Sequence, residues 1–202
     1  MDPVAVLHYV VTAAVLLGSP GPGIVSLLAV GRLEGAGRGL RYYGGMQIGL
    51  AIGAAIAGLG LVSALQLVPW LFALLTFAAI VYLAYLGWQI AAAPVGEPIT
   101  PVRGESSFTA RAGFMLGFAN PKALLAFASL FASTTLFAGN TTIDIASKWI
   151  LCVIVMMVVD LAWLMTGAVM GRAAMRPVVE RSFNIACGAT LIVAAIALVP
   201  TR

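Results

Sequence analysis

Six long runs of apolar residues, separated by short polar connections, organise the chain. They cover Val4–Val30, Leu40–Leu65, Val68–Ala92, Ala112–Phe137, Ser147–Met170 and Val179–Val199. Each supplies the roughly 20 residues that a helix needs to cross a ~30 Å hydrocarbon layer. Strict apolar–polar alternation and strand-length segments are missing, which disfavours a membrane β-barrel. The pattern predicts six transmembrane helices, with spans two and three joined by a tight hairpin across Gln66–Pro69. The first run is too long for a signal-peptide core and follows Asp2 rather than a basic start, so it reads as a retained span.

Composition agrees and removes several alternatives. Of the 202 residues, 62% are hydrophobic and 9% charged, against about 25% charged in soluble domains. So few charges cannot cover a water-facing surface, and a soluble enzyme is excluded. The net charge of +4 is spread between apolar runs rather than gathered on one face, so a nucleic-acid partner is not expected. Arg32, Arg38, Arg41, Arg103, Arg111, Arg172, Arg176 and Arg181 fall on one side of the predicted layer. Lys148 and Arg202 fall on the other. This bias predicts an inner-membrane, multi-pass protein with both termini outside the cytoplasm. The expected organisation is a single membrane domain over 1–202. It comprises one repeat over 1–92, a mobile cytoplasmic loop over 93–110 rich in Pro, Gly, Ser and Thr, and a second repeat over 111–202.

Catalytic and metal chemistry find little support. His8 and Ser19 lie about 16 Å apart along one continuous helix, too far for a hydrogen bond. No G-x-S-x-G, H-E-x-x-H or phosphate loop is present. Cys152 and Cys187 form no C-x-x-C pair and read as packing residues. Neither an enzyme, a cofactor nor a bound metal is expected.

The informative feature is a pair of interrupted helices. The first span contains Gly18-Ser19-Pro20-Gly21-Pro22-Gly23, and the fourth contains Gly117-Phe118-Ala119-Asn120-Pro121-Lys122. Each proline removes a backbone donor and displaces the carbonyl four residues earlier, here those of Leu16, Gly18 and Gly117. Unpaired backbone at membrane depth is tolerated only against protein or a polar cavity. The N-terminal amides of the downstream half-helix attract an anion, and the carbonyls of the upstream half attract a cation. Two such breaks facing one cavity would suit a zwitterion.

Their positions matter most. Each break lies in the first span of a three-span half, and three spans reverse the orientation of the second half. The prediction is an all-α membrane protein built as two inverted three-helix repeats, with a transport site between the breaks.

Lys122 and Asp160 are the two charged side chains placed well inside a span. Burial in lipid costs at least ~2.5–3.5 kcal/mol, so both should face the protein interior. Lys122 suits a substrate carboxylate. Asp160 suits a substrate ammonium or a coupling proton, and a structural Lys122–Asp160 ion pair is the competing reading. Gln47 is a further polar candidate. Gly45, Gly49 and Gly53 share one helix face and suit close packing, a permeation path or a dimer interface. Tyr82, Tyr85 and Trp88 suit the membrane interface, as does His8.

These residues resemble the lysine exporter (LysE/RhtB) family of amino-acid exporters. The likeness runs through Pro20-Gly21-Pro22, Gly31-Arg32, Gly37-Arg38-Gly39-Leu40, Tyr82-Leu83-Ala84-Tyr85-Leu86-Gly87-Trp88, Gly113-Phe114 and Asn120-Pro121-Lys122. Relatives usually carry Asn or Asp where this chain has Gly23. The resemblance implies efflux of amino acids or small derivatives driven by the proton-motive force.

The sequence thus points to a secondary transporter whose substrate site comprises Pro20, Gly21, Pro22, Gly23, Asn120, Pro121, Lys122 and Asp160. Asp160 carries the coupling proton. The expected partners are an amino acid and the lipid bilayer, with a second copy of the chain as a further candidate. A metal-ion transporter of similar fold would need more intramembrane carboxylates. A non-transporting scaffold would leave the breaks and buried charges without purpose.

Overall fold

The computed structural model describes residues 3–19, 21–60, 69–93, 95, 108–172 and 177–197. All elements among them are helices: α1 (Pro3–Gly18), α2 (Pro22–Gly58), α3 (Pro69–Ala91), α4 (Ala110–Phe118), α5 (Pro121–Ser133), α6 (Thr141–Arg172) and α7 (Pro177–Ala197). Pro20, the centre of the Gln66–Pro69 hairpin and most of the predicted 93–110 loop lie outside the described residues.

Both predicted interruptions are present. The pair α1 and α2 is bent by 66°, and the pair α4 and α5 by 52°. Asn120 caps α5, its side chain accepting from Ala123 N, and Pro121 follows at the first helical position, where a missing N–H costs nothing. Among the described residues, Thr141–Gly171 is long and apolar enough to cross a membrane by itself, and the two bent pairs also qualify if each is one span.

One connection differs from the expected loop. The first and second spans are joined within α2 by the single non-helical residue Gly35, at φ 72° and ψ 176°. That conformation belongs almost wholly to glycine. It folds the chain back so that Gly39 approaches Val30. The limb before this turn runs through the protein centre, with every residue from Pro22 to Leu27 buried.

Glycines set the packing partners. The first limb of α2 lies against α6: Gly31 faces the Leu164 carbonyl and Gly167 faces that of Leu28. The second limb lies along α4 and α5, with Gly45 against Ala110, Gly49 against Phe114, Gly53 against Leu124 and Gly58 against Phe131. The Gly45/Gly49/Gly53 stripe is therefore covered by the same chain, and close internal packing is its role. Helices α3 and α7 meet at Gly87 and Gly188. Outward positions remain apolar: Val4, Leu7, Val11 and Val15 on α1 and Ile150, Ile154 and Val158 on α6 are exposed. That apolar exterior suits lipid rather than water.

Several charges expected in loops or at helix ends are instead inside. Arg32, Asp144 and Lys148 are buried. Near one end, Arg32 Nη2 lies 2.8 Å from Glu180 Oε1. Its Nη1 donates to Asn184 Oδ1, and the guanidinium covers the Phe183 ring. At the other end, Lys148 Nζ pairs with Asp144 Oδ2 at 2.7 Å, and Asp144 Oδ1 accepts from the amides of Leu136 and Phe137. Fixed partners make these positions tolerable away from water.

The Arg32 cluster gives a direct expectation. Glu180→Gln keeps the shape but removes the counter-charge from Arg32, a residue that is 3% exposed. The loss should be about 3 kcal/mol, read as a lower thermal unfolding midpoint in detergent. Arg38→Ala removes a far more exposed pair with Glu34 and should cost less than ~1 kcal/mol. Equal shifts for the two variants would contradict this account.

Candidate functional site

The two breaks face each other across one cavity. Its wall includes Gly21 and Gly23 from the first break, Asn120 and Lys122 from the second, and Asp160 from the middle of α6. Five of the eight residues singled out in the sequence thus share one space. Pro22 and Pro121 stand at the helix starts beside it, and Pro20 lies outside the described residues.

The break in the first span is built from a proline-disrupted turn and its repairs. Ser19 N still reaches the Val15 carbonyl at 3.1 Å, ending α1. The Leu16 carbonyl accepts from Ser19 Oγ at 2.8 Å. Thus a side chain replaces the amide that proline cannot supply. The Lys122 ammonium crosses from the other break and donates to the Ser19 carbonyl and, at 2.8 Å, to Ser19 Oγ. The upstream carbonyls therefore attract a cation, here one from the protein itself.

The two half-helix N-termini are not equivalent. The amide of Ala123 in α5 is satisfied by Asn120 Oδ1 at 3.3 Å. Helix α2 starts at the extended Gly21, which has no side chain to cap it. Its first-turn amides therefore lack the local acceptor that a Ser, Asp or Asn would supply. Lys122 lies directly over this start: a Cβ on Gly21 would fall 2.6 Å from Lys122 Cδ and 2.9 Å from Nζ. A cation and a helix N-terminus converge there on the same side of the cavity, an arrangement suited to an anion.

Asp160 presents the opposite charge. It is 6% exposed, and its Oδ2 accepts from Gln47 Nε2 at 2.7 Å. Among the described residues, Gln47 Oε1 is buried without a hydrogen-bond partner. Nearby, Tyr43 Oη donates to the Met157 carbonyl. Lys122 and Asp160 thus hold different hydrogen-bond partners while lining one cavity. The remaining wall is apolar and includes Leu17, Ile24, Met46 and Met156. The volume is about 40 Å³, room for about three waters.

Ser19 was not among the expected site residues. Its signal was its place at a proline break, where a hydroxyl can reach the preceding turn. Met46 carried no chemical signature and becomes part of the wall only through the approach of α2 to the breaks. Of the other candidates, His8 Nδ1 lies 3.5 Å from Thr134 Oγ1, away from the cavity lining. Tyr85 and Trp88 are exposed, and the Tyr82 side chain lies outside the described residues. Cys152 and Cys187 are buried free thiols.

Comparison with known proteins places this chain among membrane translocators. The family model described as LysE type translocator matches residues 14–201. An uncharacterized membrane protein of Pseudomonas aeruginosa is 29% identical over 130 residues, covering 61% of this chain and 60% of that protein. An uncharacterized membrane protein of Vibrio cholerae is 28% identical over 128 residues, covering 62% of each. The chain spans about three-fifths of the length of these curated relatives. No solved structure matches.

Proposed function

We propose that this chain, which belongs to the LysE type translocator family, exports amino acids or small amino-acid derivatives in exchange for protons. Membrane transport follows from the family. The observation that carries the finer reading is the presence of Lys122 and Asp160 in the wall of one cavity bounded by both broken helices. A zwitterion fits that pair of charges: its carboxylate meets Lys122 and the uncapped start of α2, and its ammonium meets Asp160.

Exchange follows from competition for the same groups. An arriving carboxylate draws Lys122 from the Ser19 oxygens, freeing the carbonyl end of the first break. A proton on Asp160 removes its attraction for the ammonium and favours substrate release. The protonated, substrate-free site then returns, and proton release toward the cytoplasm restores the carboxylate. Binding of substrate and proton is thereby mutually exclusive, the basis of antiport.

Alternating access requires two arrangements around this site. The packing supports an inverted repeat: the broken first span lies along α6, and the broken fourth span lies along the second limb of α2. The first helix of each half therefore packs on the second helix of the other, as an exchange of the halves requires. The small cavity is too narrow for an amino acid with its hydration, so separation of the breaks must accompany substrate binding.

Reconstitution tests the reading. Proteoliposomes loaded with a labelled amino-acid mixture should release label faster when the external medium is made acidic than without a gradient. Empty liposomes control for leakage. No protein-dependent release of any amino acid would overturn the export proposal, while release indifferent to the gradient would overturn proton exchange.

A further inference from the structure

The apolar wall says more about the substrate than the paired charges do. The cavity has two charged lining side chains among the described residues, Lys122 and Asp160. In the export reading, on which this inference rests, the carboxylate and ammonium common to amino acids satisfy both. A side chain must then lie against Leu17, Ile24, Met46, Leu50, Ala126 and Met156. These groups offer no hydrogen bond from their side chains to a second charge.

We propose that the side-chain subsite selects neutral amino acids with small or medium apolar side chains. The selection has an attractive and a repulsive part. Valine, leucine or methionine gains contact with the apolar wall, and the two Met side chains adapt to differences in shape. Lysine, arginine or glutamate brings a further charge out of water without a counter-charge to receive it. Exclusion of these substrates by desolvation can exceed discrimination among apolar ones, where a single methylene changes affinity only modestly.

Gly23 is the position from which this preference can be changed. It lines the cavity, and a Cβ there would sit 3.4 Å from Asn120 Nδ2 and 3.8 Å from Met46 Sδ. Those are ordinary contacts, so a Cβ can be introduced there without moving backbone. Its site in the first turn of α2 also favours a carboxylate. Gly23→Asp therefore supplies the negative partner that a cationic side chain lacks. Gly23→Asn adds nearly the same volume without the charge.

Efflux from proteoliposomes separately loaded with labelled valine, leucine, methionine, lysine, arginine or glutamate tests the assignment. Ligand-induced thermal stabilisation gives a second readout that does not require a transport cycle. The parent protein should export the three neutral substrates on the order of 100-fold faster than the three charged ones. Gly23→Asp should raise lysine export relative to valine by about tenfold, whereas Gly23→Asn should leave that ratio unchanged. Selective stabilisation by neutral ligands would support the preference even for a variant that transports poorly. Equal export of lysine or glutamate and valine by the parent protein would overturn the subsite while preserving amino-acid export. A complete lack of amino-acid flux and stabilisation would overturn both proposals.

Discussion

Asp160→Asn should abolish proton-driven export while leaving the protein folded. The substitution preserves size and a carbonyl oxygen that can accept from Gln47, so the local packing is retained. It removes the negative charge proposed to hold the substrate ammonium and the group proposed to carry a proton. Loss of a charge-assisted hydrogen bond weakens binding by about 1.5–3 kcal/mol, or roughly 10–100-fold.

Coupling should suffer more completely, because an amide cannot alternate between carboxylate and carboxylic acid. At saturating substrate, export by Asp160→Asn should therefore show no stimulation by external acid. Its thermal stability should equal or exceed that of the parent, since a neutral amide is cheaper to bury than a carboxylate. Full gradient-driven export by this variant would remove Asp160 from coupling. A large loss of stability instead would assign it a structural role.

Gly117→Val should strongly disrupt folding. An added Cβ at Gly117 would lie on the Met46 carbonyl and 3.1 Å from the Leu50 amide. Both atoms belong to the backbone of α2, so no side-chain rotation can make room. Helices α2 and α4 must separate, and the second break moves with α4. Overpacking typically costs about 1–3 kcal/mol, and a clash between two backbones belongs at or beyond the upper end.

The expected result is a strong loss of monodisperse protein after detergent extraction, with a lower unfolding midpoint in what remains. Gly44→Ala provides the contrast. Among the described residues, no atom beyond its own helix turn lies within 4 Å of its added Cβ, and alanine favours helix by about 0.5–1 kcal/mol over glycine. Gly44→Ala should thus be neutral or slightly stabilising. Similar behaviour of the two variants would refute the close-packing role assigned to Gly117.

These contrasts show which features are local in the chain. The proline breaks were legible because proline loses its amide donor wherever it occurs in a helix. The inward placement of Lys122 and Asp160 at a cavity was legible because charge within a long apolar run requires a polar environment. The glycine stripe announced close packing but not its partner. Its contact with α4 and α5 depends on elements more than fifty residues away in sequence.

Arg32 shows why local pattern was insufficient. Beside Gly31 and Glu34 it resembled a basic residue in a cytoplasmic connection. The Gly35 turn and the arrival of α7 place it beside Glu180, Asn184 and Phe183 instead. Burial depends on which distant segments close over a residue, and no hydropathy pattern around Arg32 contains that information. The two half-helices likewise looked similar in sequence. Only their three-dimensional surroundings distinguish the α5 start, capped by Asn120, from the α2 start beneath Lys122.

By itself the sequence determined a helical membrane chain with two broken segments and two charges placed well inside apolar runs. Apolar length and the covalent chemistry of proline act along the chain, so those properties can be read in order. The tertiary structure decided that the breaks face one cavity, that Lys122 and Asp160 hold different partners, and that the rest of the wall, apart from Asn120, is apolar. Those facts depend on convergence of α1, α2, α5 and α6, because a binding surface exists only after distant side chains exclude water together.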